Sequence, residues 1–312
     1  MSPTTQAYIC ALSANLVFAL AVQVFAYYSE KVSAIWMNWF KACVALVCFA
    51  AAVIIGGGTF DYSLKVSGML FLSGVIGLAI GDLCLFAALK DLGPGRAMVL
   101  MAFHPLITGG LSYVFHGDVM AGYKIFAVIF MIACIVTFSL EAFKKKGQWH
   151  FKGVLLVLSA VCLDATAWVM IKEVESEPGL TVFEGNTFRA LGAVLFLFLW
   201  SVISIIRNRK NKEVKPLKLI EPYTQCSGRG KALVIGASIM GTFLGLTLLF
   251  KAVSLTKENL AGLSSINVTC SIFAMLFECI HKKVWPSKYF YIAFGFMACG
   301  LGIFIFGDRI FG

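Results

Sequence analysis

Apolar residues run through this chain in long blocks, separated by short stretches rich in Gly, Pro and charge. A hydrocarbon core of about 30 Å takes roughly 20 apolar residues to cross as a helix. On that measure the chain holds ten spans, at approximately 6–28, 33–55, 66–89, 96–115, 122–142, 152–173, 183–206, 232–254, 259–280 and 288–307. Loops such as Gly56-Gly57-Gly58, Gly93-Pro94-Gly95, Lys144–Gly147 and Trp285-Pro286 are short, so consecutive spans are expected as antiparallel neighbours in a bundle. The pattern predicts an all-α integral membrane protein. One connection is long: residues 207–231 hold eight Lys or Arg with Pro216 and Pro222. A surface loop is the expected reading, and a site for anionic lipid headgroups is the alternative.

The apolar pattern occurs twice. Gly77, Gly81, Leu85, Phe86 and Ala88 recur as Gly241, Gly245, Leu249, Phe250 and Ala252, at an offset of 164. Asn38, Phe40, Lys41, Ala42 and Ala45 recur as Asn186, Phe188, Arg189, Ala190 and Ala193, at an offset of 148. A weaker match sets Leu12-Ser13-Ala14 against Leu158-Ser159-Ala160. The 16-residue difference between the two main offsets fits an insertion in the 207–231 loop. Spans 1–3 thereby align with spans 6–8, which divides the chain into five-span repeats at 1–147 and 148–312. An odd number of spans per repeat inverts the second copy. Inverted repeats are a known plan for secondary transporters, whose substrate site lies near the midplane between the halves.

Composition agrees with a membrane chain. Of 312 residues, 60% are hydrophobic and 13% charged, against about 25% charged in soluble domains. The net charge of +10 does not point to nucleic acid, because most charges sit in loops between apolar runs. Assigned to alternate sides, the loops carry five cations on the side of both termini and eighteen on the other. By the positive-inside rule that count places both termini outside. Ten cysteines without any CxxC, mostly inside apolar runs, argue against a disulfide framework or a zinc site. The four histidines are scattered, and no GxSxG, HExxH or phosphate loop occurs, so neither an enzyme nor a cofactor or metal is expected. Residues 1–6 carry no Lys or Arg and the run after them is long enough to span, so the first helix is expected to be retained.

A charge at the bilayer centre costs roughly 2.5–3.5 kcal/mol on insertion scales, which makes it a functional candidate. Asp164 lies near the middle of span 6, with Trp168 four residues on and on the same face. An acid there can bind an amine or carry a proton. His104 lies mid-span in span 4 just before Pro105, whose missing N–H loosens the turn before it. Asn15 in span 1 and Asn267 in span 9 are also at mid-depth, and Ser264, Asn267 and Ser271 form a polar stripe. Such stripes line cavities or join helices. Asn-Val-Thr at 267–269 matches a glycosylation acceptor but lies within a span. Lys41 and Arg189, matched through the repeat, are expected to snorkel or to pair structurally, with an anion-binding pair as the alternative. Asp82, Lys251 and Glu278 lie nearer span ends and are expected at the interface. The paired GxxxG motifs are expected to pack helices.

On these features the chain resembles the EamA-type branch of the drug/metabolite transporter superfamily. The resemblance rests on the five-plus-five repeat, on Phe-Lys and Phe-Arg early in spans 2 and 7, on the Gly77–Ala88 pattern and its copy, and on Pro105 followed by His116-Gly117-Asp118. It departs at Asp118, where the family commonly has Glu, and in the second half, where Thr269 and Lys282 stand at the proline and acid positions. The resemblance implies a carrier of small metabolites, often an amino-acid exporter, often proton-coupled, in a multi-pass cell membrane location. It implies a cavity lined by spans 1, 3, 4, 6, 8 and 9, which favours Asn15, His104, Asp164, Trp168 and Asn267, with Ser271 beside them. It also implies cytoplasmic termini, against the charge count. The expected function is secondary active transport of a small polar metabolite, with protons and membrane lipids as further partners and either a monomer or a homodimer. The alternatives are an organic-anion or phosphorylated-metabolite exchanger using Lys41 and Arg189, and a non-transporting membrane scaffold or lipid-binding protein.

Overall fold

The computed structural model describes residues 3–29, 34–116, 126, 129, 130, 132–134, 136, 137, 140, 141, 144, 151–174, 177–208, 227–255, 268–283 and 285–311. These residues are helical apart from short connections. Two helices open the chain, α1 (Pro3–Ser29) and α2 (Ala34–Gly56). Helix α3 (Leu64–Leu92) follows, its start capped by Ser63, whose hydroxyl accepts from the Val66 N–H at 3.3 Å. Span 4 is two helices, α4 (Pro94–Met101) and α5 (His104–His116). The second half supplies α6 (Phe151–Val174), α7 (Val182–Asn208), α8 (residues 228–255), α9 (Val268–Lys282) and α10 (Lys288–Phe311). Six of these are long and apolar enough to cross a membrane, and Thr269–His281 adds a shorter apolar helix. Large apolar side chains such as Ile54, Ile55, Phe198 and Ile203 face outward, as a hydrocarbon surround requires. Residues 209–226 of the basic connection lie outside the described residues.

The helices interleave by repeat. Helix α3 packs on α6 and α7, and its repeat counterpart α8 packs on α1 and α2. The counterpart pairs α2 with α7 and α4 with α9 meet each other. Small residues set these approaches. A Cβ on Gly77 would come within 2.8 Å of Ala167 Cβ, and one on Gly241 would overlap Ala21 Cβ. Ala21 and Ala167 are themselves equivalent, at the 146-residue offset of the Leu-Ser-Ala match. The same contact is therefore built twice, each time between one half and the other. Helices α3 and α7 come closer still. A Cβ on Gly74 would land on the Arg189 carbonyl, and one on Gly192 on the Phe71 carbonyl. Close backbone approach through small residues is how helices hold together where water supplies no driving force.

Two features differ from the regular spans that the sequence predicts. Residues Gly74–Gly81 of α3 and Ser238–Leu244 of α8 are π-helical. The two segments start at equivalent positions, 164 residues apart. A π turn widens the helix and frees a carbonyl from its normal partner, and such turns concentrate at functional positions. In α3 the freed groups are met from α2: the Asn38 amide donates to Leu78 O at 3.0 Å and Ala79 O at 2.8 Å. The other difference is the break at Ala102-Phe103 between α4 and α5. Pro105, at the second residue of α5, has no N–H to bond back across it.

Candidate functional site

Both π segments and the span-4 break face one cavity of about 150 Å³. Its wall comes from both halves: Asn15 and Phe18 of α1, Lys41 of α2, Gly77, Gly81 and Asp82 of α3, Met98 and His104 of span 4, Asp164 and Trp168 of α6, Arg189 of α7, and Thr242 and Leu246 of α8. Asn15, His104, Asp164 and Trp168 are thus brought together, as the sequence predicts. The mixture is mostly apolar with a few convergent polar groups, which is the character of a small-molecule site.

His104 and Asp164 are the central pair. His104 Nε2 lies 3.4 Å from Asp164 Oδ2, with the imidazole 2% exposed and the carboxylate about a third exposed (33%) toward the cavity. The contact is close, but Nε2 has no aligned hydrogen-bond partner among the described residues. The tautomer follows from the other nitrogen. Where Thr108 Oγ1 donates to His104 O, at 2.9 Å, Nδ1, at 3.1 Å from that oxygen, is the donor to it. In a neutral imidazole Nε2 then carries the lone pair, aimed at the acid. The pair can hold one proton, on Oδ2 or on Nε2. Trp168 packs edge-on against the imidazole, centroids 5.5 Å apart, and closes one side against water.

Around this pair the other predicted residues divide. Asn15 is buried and its amide donates to Thr269 Oγ1 at 3.2 Å, so the residue at the second half's proline position holds the first half's asparagine. Ser271 is buried but does not line the cavity; its hydroxyl meets Met297 Sδ at 3.7 Å. That removes it from the expected substrate contacts. Asn267, Ser264 and Asp118 lie outside the described residues.

Of the two expectations for Lys41 and Arg189, snorkelling or structural pairing, the first fails. The two residues are 6% and 3% exposed and line the cavity, so neither snorkels. Both side chains lie on helices that pack against each other, α2 on α7. Lys41 forms an ion pair with Asp82, and its ammonium also lies 4.9 Å from the Phe86 ring centroid. Asp82 is therefore a cavity residue and not an interfacial one. Among the described residues Arg189 has no such carboxylate; its Nη1 donates to Asn186 Oδ1 at 3.0 Å. Asp82 is the cavity residue that reasoning from span ends misses. The signal for it was the lone buried lysine, which demands an acid within reach.

Two further carboxylates tie the halves together beyond the cavity. Glu278 of α9 accepts from the Gly95 N–H at 2.6 Å, at the positive end of α4. Glu184 of α7 accepts from Tyr62 Oη at 2.7 Å, from Thr181 Oγ1 at 2.6 Å and from Phe60 N at 3.4 Å. Phe60 itself has a φ of 54°, a strained backbone for an aromatic residue.

The EamA-like transporter family matches this chain twice, over residues 5–140 and 151–306. The chain belongs to the EamA-like transporter family. The two matched segments agree with the internal repeat, and with the apolar helices they make the chain a multi-pass integral membrane transporter. No curated protein sequence matches it. A solved crystal structure superposes on this EamA-like chain with a TM-score of 0.66 and 14% identity, covering 99% of each chain. Likeness at that identity concerns the fold alone.

Proposed function

We propose that this EamA-like protein is a ten-span secondary transporter, built from two inverted five-helix repeats, that carries a small polar metabolite by alternating access. The solute is an amino acid or a small amine, and the His104–Asp164 pair couples its passage to a proton. The observation that carries this reading is the 3.4 Å approach of these two side chains on the wall of a cavity shared by both halves. The pair holds one proton, on one side chain or the other. When a cationic group of the solute meets the Asp164 carboxylate, that proton is displaced onto His104 Nε2 and from there to water. When the solute leaves, the acid is reprotonated. Once the proton has reached water, the solute's cation replaces its charge beside the Asp164 carboxylate, which matters because an uncompensated buried charge is strongly unfavourable.

The alternative roles have less support. A Lys41–Arg189 anion clamp would need both cations free, but Asp82 occupies Lys41. A scaffold would need no cavity lined with ionisable groups. The test is transport in proteoliposomes by a panel of L-amino acids and small primary amines, with proton movement followed by an internal pH dye. Wild type should move protons on adding at least one panel member, and Asp164→Asn should not. Proton movement unchanged by that substitution rejects the coupling role.

A further inference from the structure

We infer that Arg189 is an anion-recognition subsite of the cavity, taking a single carboxylate of the solute, while its repeat counterpart Lys41 has no such role. This rests on the cavity being the transport site.

Two equivalent positions of the repeat have diverged. Lys41 and Arg189 correspond at the 148-residue offset, and Asp82 and Leu246 at the 164-residue offset. All four line the cavity. In the first half the cation has its acid, Lys41 with Asp82. In the second half a leucine stands where that acid would be. The asparagines one turn before each cation diverge in step. Asn38 spends its amide on the π-segment carbonyls of α3. Asn186 instead turns its Oδ1 to Arg189 Nη1 at 3.0 Å. A neutral oxygen fixes the guanidinium in place without cancelling its charge.

What remains is a cation with no carboxylate in contact among the described residues, which Asp164 and Asp82 reach only through space. Arg189 is 3% exposed, and its Nε has no hydrogen-bond partner among the described residues. Among those residues no carboxylate oxygen lies within 4.0 Å of its guanidinium. A buried charge with a free donor is costly unless something completes it. The guanidinium fork matches a planar carboxylate with two parallel bonds. The one guanidinium fork takes one carboxylate, and a dianion such as a phosphate ester would bring a second negative charge to a wall that already holds Asp82. The subsite therefore selects a monocarboxylate.

The test uses the purified full chain in detergent and reads ligand-dependent thermal stabilisation. The probes are the L-amino acids and simple monocarboxylates, the primary carboxamide of each, and inorganic phosphate. At least one carboxylate should bind about tenfold or more tightly than its carboxamide, the scale of one charge-assisted hydrogen bond. Arg189→Gln should erase that discrimination. Leu246→Asp should erase it too, by giving Arg189 the acid that the first half already has, and this variant decides if Arg189→Gln does not fold. The simple monocarboxylates carry no amine to meet Asp164, so their discrimination against the carboxamides separates failure of this inference from failure of the coupling role. Equal binding of carboxylate and carboxamide, discrimination that survives in Leu246→Asp, binding of phosphate alone, or no carboxylate binding at all would each overturn the proposal.

Discussion

The Nε2 of His104 approaches Oδ2 of Asp164 to 3.4 Å, one residue from each half of the chain. Thr108 holds the imidazole from its Nδ1 side, which leaves Nε2 facing the acid. Two groups that share one proton act as a unit, and the effects of removing them do not add. His104→Gln and Asp164→Asn should each abolish pH-dependent transport, and the double variant should be no worse than the more damaged single. Initial rates in proteoliposomes between pH 5 and pH 8 check this. Additive losses would mean the two residues work separately.

Lys41 and Asp82 form a different kind of pair. Breaking a buried ion pair from one side strands the other charge, at a cost of about 3–5 kcal/mol, whereas replacing both partners by apolar groups is often close to neutral. Lys41→Met and Asp82→Leu should each lower the unfolding temperature in detergent markedly, and the double variant should recover most of the loss. A double variant as unstable as the sum of the singles would show that the contact is incidental.

The glycine seams should tolerate no side chain. Gly77→Val and Gly241→Val press on Ala167 and Ala21, and overpacking of this kind costs about 1–3 kcal/mol. Gly68→Ala and Gly236→Ala, where a Cβ meets nothing within 4 Å, are the controls and should leave stability and transport near wild type. Equal tolerance at all four positions would argue that the seams are not close-packed in the membrane.

The Tyr62–Glu184 contact should show in alkaline solution. Burial first, then the hydrogen bond and charge of the Glu184 carboxylate, push the Tyr62 phenol from 10.0 up to about 12. The neutral phenol is the bonded form, so its contribution to stability is fully present below about pH 10 and is lost as pH rises through about 12. Thermal unfolding should therefore separate wild type from Tyr62→Phe below about pH 10, with the gap closing toward pH 12. A gap that is constant with pH would place the effect elsewhere than the hydroxyl.

The repeat, the apolar spans and four cavity residues were legible in the sequence, because burial depth and periodicity are one-dimensional quantities. Asp164 and His104 announced themselves as ionisable groups far from any span end. Asp82 did not, because its distance from the end of α3 mimics an interfacial residue. Only the crossing of α2 shows that Lys41 reaches it. The π segments were hidden for a similar reason: GxxxG reads as packing, and the sequence carries no mark of an altered hydrogen-bond register. Ser271 shows the converse. Helical spacing put it on a polar stripe, yet its turn of α9 faces α10.

The coupling role of the His104–Asp164 pair is tested most directly by proton flux. Proteoliposomes of wild type and Asp164→Asn, loaded with a pH dye, are given the panel solute that wild type transports best. Internal pH should change with solute entry in wild type and stay flat in the variant. A variant that carries the solute with the same proton flux would contradict the account.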